Sequence, residues 1–334
     1  MELDLPFIWA GLIAFAVLVY VILDGFDLGV GILFPAMPAE HDRDVMMNSV
    51  APVWDGNETW LVLGGGGLFA VFPLAYSVIM PALYMPIVLM LLALVFRGVS
   101  FEFRWRTKRW KGVWDIAFSG GSYMAAFCQG IVLGALVQGI EIDGRAYGGG
   151  WWDWLTPFTV LTGIAVVIGY GLLGATWLVL KTEGHIAAQM RRFAPWLGAT
   201  TLIFIATVSL LTPFQDAVYF ERWFTWPSMA FSFVVPFLIT GCAILLFYGL
   251  RRGHDLTPFL SSLGIFVLSF IGIGISFYPM MVPPSLTIQQ AAAPDASLLF
   301  TLVGAAVLIP VILIYTGYAY WVFRGKIDPE EGYH

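Results

Sequence analysis

Charge is what this sequence most conspicuously lacks. Only 11% of its 334 residues are Asp, Glu, Lys or Arg, 59% are hydrophobic, and the mean hydropathy is +0.83. Soluble domains carry about 25% charged residues, so a water-soluble globular protein is excluded. Cysteine is nearly missing. Cys128 and Cys242 both fall inside apolar runs, and two isolated thiols there make neither a disulfide framework nor a zinc or iron–sulfur site. Histidine is just as scarce: His41, His185, His254 and His334 lie between the long apolar runs or at the C-terminus. A haem at membrane depth needs axial His, Met or Cys projecting from the spans. Met80, Met85, Met90, Met124 and Met229 are present, but a lone membrane methionine is first a packing residue, so this chain alone is not expected to ligate haem. No Ser–His pair sits at membrane depth, and there is no phosphate loop and no HExxH. Neither catalytic residues nor a metal site is therefore expected. A basic stripe that would bind nucleic acid is missing too, as is the ten-residue alternation of a transmembrane barrel. The acidic start Met1-Glu2-Leu3-Asp4 does not read as a secretory signal.

What is present is a succession of long apolar runs, near or above the ~20 residues that span a bilayer as a helix. Breaks in hydropathy predict nine spans, near 7–34, 57–76, 78–98, 115–139, 156–180, 195–213, 227–250, 257–278 and 297–323, in one polytopic all-α membrane domain covering 1–334. Lysine and arginine gather on the cytoplasmic side of membrane proteins. With the N-terminus outside, the inner loops hold Arg43, Arg97, Arg104, Arg106, Lys108, Arg109, Lys111, Lys181, Arg191, Arg192, Arg251, Arg252, Arg324 and Lys326. Only Arg145 and Arg222 of the sixteen basic residues fall outside. The N-terminus is thus expected to be periplasmic and the C-terminus cytoplasmic. Outer segments read as an aromatic belt (Trp151, Trp152, Trp154), an interfacial segment over 215–226 and a loop over 279–296. Four glycines, Gly64 to Gly67, mark either a close helix crossing or a broken, ligand-binding helix of the kind found in transporters.

The acids carry whatever chemistry remains. Asp24 and Asp27 stand inside an apolar run that continues to Phe34. Three residues apart, they share one helix face, and at about 1.5 Å per residue they lie roughly 25 to 30 Å from Phe7, near the inner edge of the bilayer core. Membrane acids are costly and usually face protein, water or a partner charge. Gly25 and Gly29 form a small-xxx-small pair permitting close helix approach. Asp55 and Glu58 open the second span from the same side, and Glu102 sits among Arg97, Arg104 and Arg106. One reading is a cytoplasmic proton path through Asp55, Glu58, Glu102 and Arg106. The other is structural: a polar packing patch of Asp24, Asp27, Arg97, Trp54 and Asn57, with Asp24 or Asp27 paired to Arg97 and Asp55 or Asn57 capping the second span.

The runs Asp24-Gly-Phe-Asp-Leu-Gly-Val-Gly31 and Asn48-Ser-Val-Ala-Pro-Val-Trp-Asp-Gly-Asn57 resemble the hallmark motifs of subunit II of cytochrome bd-type quinol oxidases. So do Phe96 to Arg104, Trp110 to Trp114, Gln129-Gly130, Phe277-Tyr278-Pro279 and Ile314 to Tyr318, spread over essentially the whole chain. The resemblance implies nine helices, as two four-helix bundles plus a peripheral helix, in the bacterial cytoplasmic (inner) membrane. It implies a haem-free subunit paired with a homologously folded subunit I that carries haem b and haem d. The complex would oxidise quinol and reduce dioxygen to water with cytoplasmic proton uptake, alongside membrane lipids and, in some members, small single-helix subunits. Within the family a proton access route maps onto Asp55 and onto Glu102 with Arg106. Some members hold a structural quinone in this subunit, for which the motifs indicate no residues, and the cyanide-insensitive branch has similar motifs. A secondary transporter using the membrane acids and a glycine-broken helix is the rival reading.

Overall fold

The structure, a computed structural model, describes residues 4–327, so His334 lies outside the described residues. Its first long helix, α1 (Leu5–Leu33), begins where the Asp4 carboxylate accepts a hydrogen bond from the Phe7 amide at 3.1 Å. A short α2 (Glu40–Asn48) leads to α3 (Trp54–Val71), α4 (Pro73–Ala82), α5 (Tyr84–Arg106) and α6 (Lys111–Gln138). After the two-stranded hairpin of β1 (Ile142–Asp143) and β2 (Ala146–Tyr147) come α7 (Pro157–Lys181), α8 (Gly184–Leu211) and the short α9 (Ala217–Phe224). Next are α10 (Ser228–Arg252), α11 (Leu256–Phe277), a second hairpin of β3 (Met280–Val282) and β4 (Leu286–Thr287), α12 (Ile288–Ala291) and α13 (Asp295–Val322).

Eight helices among the described residues are long and apolar enough to cross a membrane: α1, α5, α6, α7, α8, α10, α11 and α13. The second expected span corresponds to α3, whose 18 residues reach about 27 Å. Its first turns carry Asp55, Asn57 and Glu58, which is why it is less apolar than the rest. The third span, expected over 78–98, starts instead at Tyr84. Phe72 ends α3 at φ −126°, ψ 62°, and Pro73 starts the separate α4, because proline suits a first helical turn and not an interior.

The four glycines do not break α3, which runs through them. Gly64 faces Val17 and Gly67 faces Ile13 of α1, while Gly65 and Gly66 open onto empty space. The helix-crossing reading holds and the broken-helix reading fails. Two outer segments also differ from expectation. Trp154 is 9% exposed, in the core near the two hairpins, so only Trp151 and Trp152 remain at the surface. The expected loop over 279–296 folds into the second hairpin and α12.

Packing centres on α1, which contacts α3, α6 and α7; α5 lies against α6, and α7 also against α8 and α11. The α1–α7 crossing is nearly backbone to backbone. A methyl on Gly29 would sit 1.9 Å from the Tyr170 carbonyl oxygen, and one on Gly174 would sit 2.2 Å from the Gly29 carbonyl carbon.

Helix α13 is little embedded, with Leu298 as its one fully buried residue. It is held at both ends. The Trp9 indole donates to the Leu298 carbonyl at 3.0 Å. At the other end the Lys181 ammonium donates to the Phe323 and Gly325 carbonyls, and Lys326 returns the favour at the end of α7, donating to Thr182 at 2.9 Å and pairing with Asp255 at 2.7 Å. Hydrogen bonds to charged groups contribute about 1.5–3 kcal/mol each. Lys181→Met is therefore expected to speed amide exchange over 319–327 at least tenfold while leaving α1 protection intact, as hydrogen-exchange mass spectrometry would show.

Candidate functional site

Helix α5 ends in a polar stretch in which Arg97 and Arg104, seven residues apart, share one face. Both are fully buried. A buried guanidinium needs carboxylate partners, and each finds them by a different route.

Arg97 meets acids from two helices. Its Nη1 lies 2.7 Å from Glu58 Oε1 on α3 and 3.5 Å from Asp24 Oδ1 on α1, and its Nη2 is 3.9 Å from Asp27 Oδ2. Asn57 ties the two helices together: its amide donates to Asp27 Oδ2 at 2.6 Å, and its carbonyl oxygen accepts from the Tyr320 hydroxyl of α13 at 2.9 Å. Trp54 stacks on Phe101 with ring centroids 4.8 Å apart and covers Gly98, walling the cluster. Three carboxyl groups thus surround one cation.

Arg104 sits in a balanced network. It donates at 2.5 Å both to Asp44 on α2 and to Asp115 on α6. Arg43 approaches Asp115 at 3.3 Å, and Lys111 bridges Asp44 at 3.3 Å and Glu40 at 2.6 Å. Three cations meet three carboxylates. The hydrogen bond and charge of Lys111 hold the exposed Glu40 carboxyl below its ordinary range. At the same end of the molecule the His185 ring meets Asp42 at 3.1 Å, joining the start of α8 to α2.

The structure therefore brings Asp24, Asp27, Glu58, Arg97, Asn57 and Trp54 together, with Gly25 against Tyr170 and Gly29 against Gly174 on the neighbouring face of α1. It leaves three expected residues outside. Asp55 is exposed in the first turn of α3, and Glu102 and Arg106 form an exposed i,i+4 pair at 3.4 Å. The capping reading fails, because the N-cap of α3 is Val53 and no side chain caps it; Asn57 is spent on Asp27 and Tyr320. Sequence reasoning missed the Arg104 network. The seven-residue spacing of two arginines at the end of an apolar helix was its available signal. A third element was also unforeseen. The Tyr170 hydroxyl donates to Gln129 Oε1 at 2.6 Å, and Gln129 Nε2 lies 2.8 Å from the Tyr20 hydroxyl, carrying polar contacts from the acid cluster into the α1–α6–α7 seam.

These features define a multi-pass α-helical membrane protein with ionic clusters buried between its helices at one end and, among the described residues, a single histidine in its membrane-crossing helices, His185 in the first turn of α8. The sequence matches the family described as cytochrome bd terminal oxidase subunit II over residues 5–323. It is 28% identical to cytochrome bd-I ubiquinol oxidase subunit 2 of Escherichia coli strain K12, over 98% of this chain and 96% of that one. It is also 28% identical to cytochrome bd ubiquinol oxidase subunit 2 of Bacillus subtilis strain 168, over 97% of each. The fold is shared with a chain in the structure of bd oxidase from Geobacillus thermodenitrificans, with a TM-score of 0.76 and 17% identity, covering 96% of this chain and 99% of that one. The chain belongs to the cytochrome bd terminal oxidase subunit II family. As such it is a subunit of a quinol-oxidising oxidoreductase complex and a multi-pass protein of the bacterial cytoplasmic membrane.

Proposed function

We propose that this chain is the haem-free subunit of its complex, supporting a haem-bearing subunit I and giving protons access from the cytoplasm. The complex would oxidise quinol and reduce dioxygen to water, with haem b and haem d in the partner. The whole chain acts as one membrane domain, its Arg43–Arg104–Lys111 end facing the cytoplasm in line with the distribution of basic residues. Small additional subunits and a bound quinone, as in some relatives, would lie outside the residues assigned here.

The observation that carries the proton reading is the imbalance at Arg97. Three carboxyl groups share one guanidinium, whereas the Arg104 network is neutral by pairing. An unpaired buried charge is expensive, so the excess at Arg97 has to be offset by protons or by charge from the partner, and a group of that kind can pass protons inward. Asp55, exposed one turn before Glu58 on α3, is the receiving group in this scheme, and the exposed Glu102–Arg106 pair lies at its mouth. In the purified complex, Asp55→Asn is expected to lower quinol-driven oxygen consumption roughly tenfold, equivalent to about 1.4 kcal/mol of barrier, and to change its pH dependence at unchanged haem content. Unaltered turnover and pH profile would remove Asp55 from the path.

A further inference from the structure

Both oxygens of Asp24 are buried and, among the described residues, have no well-aligned hydrogen bond. A buried acceptor without a donor costs about 1–3 kcal/mol. Besides Arg97 at 3.5 Å, the buried Tyr20 shares its face of α1 one helical turn earlier, which puts the phenol on the Asp24 side of the helix. Where the Tyr20 proton points is decided two residues away. Gln129 can present either its amide N–H or its carbonyl oxygen to Tyr20, and heavy-atom positions alone do not distinguish the two. Electrostatics do. With the carbonyl toward Tyr20, the phenol proton would turn to Gln129 and leave hydroxyl lone pairs facing the Asp24 carboxylate. With the N–H toward Tyr20 at 2.8 Å, the phenol accepts from Gln129 and its single proton is free for Asp24, while Tyr170 donates to the other end of the amide at 2.6 Å. Each group then donates once, in one direction.

We propose that Tyr20 is a positioning residue for Asp24, its hydroxyl proton aimed at that carboxylate by the Tyr170–Gln129 donor chain. An amide donates and accepts hydrogen bonds but has no ionisable proton in this range, so the chain orients the cluster and does not continue a proton route toward the membrane centre. Gln129 is the inner limit of the proton-exchanging group. The functional consequence rests on the proton-access reading; the orientation of Tyr20 does not. The groups that bear on Asp24 are Tyr20 and Asp27 on its own helix, Glu58 on α3, Arg97 on α5, Tyr170 on α7 and Tyr320 on α13.

The test uses isotope-edited infrared spectra of the purified complex containing isotopically labelled aspartate. The band missing in Asp24→Asn belongs to Asp24. Tyr20→Phe is expected to move that band, Gln129→Leu to move it in the same direction, and the double variant to match Tyr20→Phe alone, because Gln129 acts through Tyr20. Tyr123→Phe, on an exposed part of α6, leaves it in place. If Gln129→Leu prevents assembly, Tyr170→Phe removes the hydroxyl that orients the Gln129 amide and is expected to give a smaller shift of the same sign. An unmoved band in Tyr20→Phe, or additive shifts in the double variant, would overturn the proposal. Should Asp55→Asn and Asp24→Asn both leave turnover and its pH profile untouched while the band still moves in Tyr20→Phe, the proton-access reading falls and the positioning of Asp24 stands.

Discussion

Arg97→Met is expected to abolish accumulation of the assembled complex. The substitution keeps most of the side-chain volume but leaves Asp24, Asp27 and Glu58 facing one another without a cation. Removing one partner of a buried ion pair costs about 3–5 kcal/mol, and here one guanidinium serves three acids on two helices. Net stabilities of folded domains are only about 5–15 kcal/mol, so a loss of this size is enough to unfold the α1–α3–α5 contact. Arg97→Lys retains charge but not the fork that reaches Glu58 and the aspartates together, and should give an assembled complex with a lowered thermal midpoint. Adding Asp27→Asn and Glu58→Gln to Arg97→Met removes two of the three stranded charges, leaving Asp24, and is expected to restore part of the yield. Detergent-solubilised yield and melting of the complex by size-exclusion chromatography read all three. Wild-type yield and stability for Arg97→Met alone would show that the acids do not depend on it.

Gly29→Ala is expected to be nearly as damaging, although it adds a single methyl group. Overpacking a core usually costs about 1–3 kcal/mol because side chains can shift. At Gly29 the obstacle is the Tyr170 carbonyl oxygen at 1.9 Å and the Gly174 backbone, which no rotamer change relieves. The whole of α7 must move, and with it the Tyr170 hydroxyl and the seam against α6. Gly65→Ala is the matched control. That glycine meets nothing within 4 Å, and replacing an interior helix glycine by alanine is worth roughly 0.5–1 kcal/mol in favour of the helix. The thermal midpoint of the complex should therefore drop for Gly29→Ala and hold or rise for Gly65→Ala.

The periodic and compositional parts of this fold were legible before any coordinates. Long apolar runs mark their own helices because every backbone polar group in lipid must be satisfied within the chain. The pairing of Asp24 or Asp27 with Arg97 was within reach for a similar reason: few cations are available at that depth. What could not be read is non-local. Asn57 looks like a helix cap from its position near the start of α3, and only the fold brings Asp27 and, 263 residues away, Tyr320 to its amide. The breaks at Phe72 and Leu83, either side of α4, depend on where the chain must turn, and the span boundary expected between 76 and 78 falls inside a helix. Tyr20, Gln129 and Tyr170 belong to three helices and have no shared motif, so their contact has no sequence signal. Asp55 and Glu102 were singled out by motif, and their exposure is a fact of three dimensions alone.

The central claim is that this chain supports redox chemistry located in another subunit. An optical redox spectrum of the native complex, captured through this chain and then repeated after its subunits are separated, tests that most directly. The account predicts haem bands in the intact complex, a second membrane subunit alongside, and haem retained by that second subunit on separation. A haem-free chain isolated without a partner and moving a solute across the membrane, or haem that stays with this chain, would contradict it.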